Sequence, residues 1–200
     1  MKINEKILVS LKPNWIAKQM DEKYKNEEYY HILDFYIVNT ICSSISCKGQ
    51  SVFDLGWPKD VWKNKKLRNY MLSIIENQEE NNIVFVKKVN DIQKYINNSN
   101  FGKGFNKKWN ERIMVQTKEG LNQIETIFYH IRNSLAHGRY QIYTNYDGDR
   151  IYVLESGIIR KNLEKLDLRA RMVLKEKTLL KWIKIITNPG QFKQEFSKKV

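Results

Sequence analysis

The segment HIRNSLAHGRY, His130 to Tyr140, gathers two of the chain's three histidines and two arginines at the end of one amphipathic stretch. A guanidinium such as that of Arg132 can hold a non-bridging phosphate oxygen and oppose the charge that develops when the phosphorus is attacked. Imidazole exchanges protons near neutral pH, so His137 can move a proton to or from a ribose 2′-OH or a departing 5′-oxygen. Asn133 precedes His137 by four residues; on a helix the two are neighbours, and the carboxamide can orient the ring. Arg132 and His137 lie about 140° apart around an ideal helix, so one groove reaches both only if it is broad or the last turn tightens. The chemistry that suits the set is phosphodiester cleavage in RNA. The same residue types also suit a plainer task, because Arg and His near a helix C-terminus complement its last carbonyls. No metal is indicated: no Asp or Glu accompanies the pair at ligand spacing, and Arg132 would repel a cation. His130 either borders the same cleft or packs away from it, and Tyr140 either borders the cleft or opens the next element.

The elements that must position these residues read as mainly α. Apolar residues step by three or four from about Lys107 (Trp109, Ile113, Thr117, Leu121, Ile124, Phe128, Ile131, Leu135), which predicts a long helix with one face on a core. Gly120 marks a bend or a close approach, and Gly138 supplies a C-terminal cap. Lys107, Lys108 and Arg112 fall on the polar side of that helix and, with Arg139, are the candidates for contacts to an RNA backbone. Two β-rich arms flank Asp147-Gly148, a pair that favours a tight turn, so 140–155 reads as a hairpin. Asn162 can cap a final helix over 162–186. Upstream, 15–39 reads as helix with a break near Lys25–Asn26, Asp60 can cap another helix, 84–96 favours a helix, and 97–104 breaks the chain. The pattern predicts one domain over 1–200, with a helical elaboration within 1–80.

Composition sets the class. The 200 residues carry 35 Lys+Arg against 22 Asp+Glu, a net charge of +13, and 42% are hydrophobic. That apolar fraction excludes a disordered chain. The charge is uneven: residues 1–100 hold 15 basic and 12 acidic side chains (+3), residues 101–200 hold 20 and 10 (+10). Such a field attracts polyanions to the C-terminal half. No apolar run reaches the length that spans a bilayer, and the N-terminus lacks a signal-peptide pattern, so a cytoplasmic protein without membrane contact is expected. Cys42 and Cys47, at C-x4-C spacing, read as reduced thiols. Gly102-Lys103-Gly104 is not a phosphate-binding Walker loop.

Arg132-Asn133-Ser134-Leu135-Ala136-His137 resembles the R-N-x-x-x-H form of the R-x4-6-H signature of HEPN domains, the higher eukaryotes and prokaryotes nucleotide-binding family. The amphipathic helix before the motif and a helix after it extend the resemblance, and a hairpin insertion is compatible with it. The resemblance implies a HEPN-like helical bundle, often a homodimer in which Arg and His from both subunits meet in a composite cleft. Active members cleave RNA without metal or other cofactor, leaving 2′,3′-cyclic phosphate and 5′-OH ends. By this resemblance Arg132 binds the scissile phosphate, His137 transfers protons and Asn133 supports the local hydrogen bonds. It also implies a stand-alone role in antiviral defence, abortive infection or a toxin system, with an antitoxin or other defence partner. The alternative is a non-catalytic RNA-binding or assembly module. Members with a nucleotidyltransferase antitoxin show R-x4-H-x-Y; here Arg139 stands two after His137 and Tyr140 three after, which departs from that pairing.

Overall fold

The structure, a computed structural model, describes residues 8–10, 22–42, 49–59, 65–75, 82–88, 91–92, 95–96, 101–102, 110–160 and 165–192. Among these the centre of the molecule is a mixed sheet, not a helical bundle. Strands β1 (Leu8–Ser10), β2 (Ile83–Val86), β3 (Arg112–Gln116), β4 (Tyr140–Thr144), β5 (Arg150–Arg160) and β6 (Lys165–Lys175) run in the order β2-β3-β6-β5-β4. β1 adds antiparallel to the first part of β6, beside the stretch of β6 that pairs with β3. β2 and β3 are parallel; the remaining pairs are antiparallel.

The expected bundle fails at three places, each for the same reason. The final helix predicted over 162–186 is strand β6 followed by helix α4 (Glu176–Thr187); only its second half is helical, and Asn162 and Leu163 lie outside the described residues. Leu166, Ala170 and Leu174 recur every four residues, a spacing that a helix stripe and an alternating strand both allow, although in the strand a bulge puts Leu166 on the side opposite Ala170 and Leu174. The intervening Leu168 and Met172 complete a period of two, and that decides for the strand. Likewise Ile83–Val86 pairs in register with Ile113–Gln116 instead of opening a helix. Arg112 therefore sits in β3, and the motif helix α3 starts only at Gln123 and ends at Ala136. Gly120 adopts φ 79° in the turn between β3 and α3.

Other expectations agree with the structure. Asn26 accepts a hydrogen bond from the Tyr29 N–H and caps α1 (Glu27–Leu33), which runs on into a wider turn at Asp34–Val38. Helix α2 spans Lys65–Ser73, while Asp60 lies outside the described residues. The hairpin is β4 and β5 with its turn at 145–149, and β5 continues to Arg160.

One side of the sheet (Ile113, Val115, Tyr152, Leu154, Met172, Leu174) packs against the helices in a single cluster. Phe128 meets Tyr36 edge-on at 5.2 Å and Trp182 at 5.9 Å between ring centroids. Truncation of a buried aromatic such as Phe128 costs about 3–5 kcal/mol. On the opposite side Met114, Leu166 and Leu168 pack with Val84 and Val86. A β-bulge explains why Leu168 and Ala170 face different sides: Ser156 pairs with Ala170, but Gly157 pairs with Leu168, leaving Arg169 as the extra residue. Gly157 is required there, since a Cβ would collide with the Asp167 carbonyl oxygen.

Candidate active site

The helix that carries Arg132 and His137 is fixed at both ends. Asn122 accepts the Glu125 N–H at 3.0 Å, and the Glu125 carboxylate accepts the Asn122 N–H at 2.8 Å, a reciprocal cap. Ile124, Phe128, Ile131 and Leu135 are buried, as their spacing predicts. At the other end Gly138 takes φ 62°; its N–H donates to the Leu135 carbonyl at 3.1 Å, and the Arg139 N–H donates to that of Ser134 at 2.8 Å. These bonds form a Schellman motif, which a left-handed glycine makes cheap. Ala136, His137 and Gly138 are exposed. The His137 backbone N–H donates to the Asn133 carbonyl at 3.2 Å. Its main chain is thus held while its imidazole faces the open surface.

Arg132 is half-buried and donates from Nη1 to Asn133 Oδ1 at 3.2 Å. Its Nε is shielded from water and has no hydrogen-bond partner among the described residues. Arg132, partly exposed, and His137, open to solvent, stand five residues apart at the end of α3, and a guanidinium can receive an anionic oxygen. The pattern of the family described as HEPN pEK499 p136 matches residues 2–186, motif included. The chain belongs to this HEPN family. No curated protein and no solved structure matches the chain. HEPN membership supports an RNA-related function of the nuclease kind in general. No helix among the described residues is long and apolar enough to cross a membrane.

The remaining residues that sequence reasoning brought to the HEPN motif disperse. Arg139 is buried, not presented to RNA: it pairs with the fully buried Glu155 at 3.0 Å, and Arg171 grips the other oxygen of that carboxylate at 2.6 Å. Arg171 also donates to the carbonyls of Phe101 and Gly102, both at 2.9 Å. The Arg139–Glu155 pair, reinforced by a 3.0 Å bond from the Glu155 N–H to the Arg139 carbonyl, anchors the chain just after His137. Arg112 is 1% exposed and donates to the Asn110 carbonyl, because β3 and not a polar helix face carries it. Lys107 and Lys108 lie outside the described residues. Tyr140 opens β4, and its hydroxyl lies 2.6 Å from that of Tyr29.

His130 is 4% exposed, with Nε2 2.9 Å from the Gln116 carbonyl and Nδ1 3.0 Å from Ser156 Oγ. A carbonyl can only accept, so Nε2 carries the hydrogen and Nδ1 accepts from the Ser156 hydroxyl. Burial, aided by the charges of Lys118 and Arg169, outweighs the bond to Gln116 and lowers His130 to about 4. It is a neutral ring that ties α3 to β3 and β5. Its outer side meets a pocket of about 310 Å³ that also touches Asn133. Sequence reasoning missed the other pocket residues, Lys118, Ser156 and Arg169 among them, because they come from the turn before α3 and from the bulge. The Gly120 turn and the two-residue alternation of β6 were the signals available.

Proposed function

We propose that this HEPN protein is a metal-independent endoribonuclease that cuts RNA to 2′,3′-cyclic phosphate and 5′-OH ends. The observation that carries the reading is the end of α3, where Arg132 is partly exposed and His137 is open to solvent five residues on, within a chain that matches the HEPN family over residues 2–186. In the reaction the ribose 2′-oxygen attacks phosphorus, the P–O5′ bond breaks, one proton leaves the 2′-OH and one reaches the 5′-oxygen. Arg132 opposes the charge on the phosphoryl oxygens. His137 handles a proton, and Asn133 holds the Arg132 guanidinium.

The reaction needs a base and an acid, whereas one chain offers a single open imidazole at this helix end. A homodimer that sets two α3 ends face to face supplies both, together with two guanidiniums. We place this activity in antiviral defence or a toxin system, with an inhibitory partner as its natural control. The test is incubation of the purified chain with end-labelled single-stranded RNA and tRNA in excess EDTA, beside His137→Ala. Cyclic-phosphate fragments from the wild type alone are the expected result. RNA binding without cleavage in both proteins would instead identify a non-catalytic RNA-binding module.

A further inference from the structure

The pocket beside Asn133 has no part in the chemistry just described, yet it is built next to it. Its residue Asn133 accepts the His137 N–H on its carbonyl, so the main chain of a pocket residue stands about 6 Å along the helix axis from that of His137. That distance is of the order of one nucleotide step along an extended strand. We propose that the pocket receives a single unpaired nucleobase of the RNA, adjoining the scissile phosphate, and thereby sets the base preference of cleavage. The proposal rests on the ribonuclease reading above.

Three features select a base over other occupants. The pocket offers hydrogen-bond groups of both kinds. The Oδ1 of Asn133 is taken by Arg132, which leaves its amide hydrogens to donate, and the Ser156 hydroxyl gives its hydrogen to His130, which leaves its lone pairs to accept. A nucleobase edge carries donors and acceptors together, whereas a phosphate carries acceptors only and would meet the Glu119 carboxylate that also lines the pocket. Tyr129 lines the pocket with the Lys118 ammonium over one face of its ring, 3.9 Å from the centroid, so an aromatic ring and a cation meet the base together. The size also fits: about 310 Å³ is the lower end of small-ligand pockets, enough for a base and too little for a folded peptide segment.

The bulge is what makes the pocket. Inserting Arg169 turns its side chain to the pocket wall, where it donates to Gln116 Oε1 at 2.6 Å and to Asp167 Oδ2 at 2.9 Å. The strand beneath is kept close by Gly157.

Two measurements on the full chain test the proposal. Cleavage of an RNA library randomised at each position, read by sequencing the 5′-OH fragments, should show a preferred base at one fixed place beside the cut. Ser156→Ala, which removes the accepting hydroxyl, and Glu119→Ala, which removes the exposed carboxylate of the lining, should flatten that preference by roughly tenfold for the residue that reads the base, with the folded state checked by melting. Separately, the chain has three histidines, so the ring protons of His130 can be followed by NMR as each of the four nucleoside monophosphates is added. The favoured base should move them at the lowest concentration. Cleavage without base preference, or a preference that both variants leave intact, would overturn the pocket while the ribonuclease reading stands. Nucleotides that move His130 in a protein that cuts no RNA would sink the ribonuclease reading and the pocket's place in cleavage, leaving a base-binding site.

Discussion

His130 and His137 sit seven residues apart on one side of one helix, yet they live in opposite surroundings. The first is enclosed, neutral and hydrogen-bonded on both nitrogens; the second stands in the open beyond the last turn, held only by its main chain. Residue type and angular side of the helix are the same, so neither tells an enclosed histidine from an open one. What separates them is the partner that meets each ring. β3 and β5 close over His130, and nothing among the described residues closes over His137.

The comparison can be broken first at its open member. His137→Ala should lower RNA cleavage by about 10²–10⁴-fold, the usual span for a proton-transfer group, while the melting temperature stays that of the wild type. A variant that still cuts at the wild-type rate would remove His137 from the chemistry. Next comes the anchor below it. Glu155→Ala strands the buried guanidiniums of Arg139 and Arg171, which should cost about 3–5 kcal/mol of stability by denaturant titration.

The closed member is sharpened by pH. An unfolded chain protonates His130 near 6.5, but the folded one holds it neutral down to about 4. Between those values the unfolded state binds a proton that the native state does not. The contribution is therefore complete above about pH 6.5 and shrinks as pH falls towards 4, by about 3 kcal/mol in all. His130→Gln should flatten this part of the stability–pH curve; an unchanged slope would show that other groups cause it. The smallest effect is expected at Gly138. Its φ of 62° disfavours a side chain, so Gly138→Ala should cost about 1 kcal/mol in chemical denaturation.

The helix end that carries Arg132 and His137 could be read from the residues, while less could be read of the fold and of the residues expected around that end. The 124–135 part of the expected stripe, the Gly138 cap and the hairpin at Asp147-Gly148 follow from local rules, whereas the part of the stripe at Ile113 became strand β3. The central strand did not reveal itself so easily, since Leu166, Ala170 and Leu174 stand at a spacing that helix and strand both allow. Pairing with distant partners settles it: β6 meets β1 across about 155 residues and β3 across about sixty, information that no window of ten residues contains. The burial of Arg139 was hidden for the same reason, because its partner Glu155 lies across the hairpin. Cys42 fits its reading as a thiol: it is buried, and burial pushes it up to about 12.

The position of β6 also governs when this protein can come into being. It is the last of the described strands in chain order, and it hydrogen-bonds to β1, β3 and β5. Until residues 165–175 leave the ribosome, the earlier strands have no middle to join, and the face that seats α3 is incomplete. Closing such distant pairs is slow and comes late. A nascent chain halted before that stretch carries the motif residues without the platform beneath them, so translation itself delays the moment at which a cell first meets the assembled site.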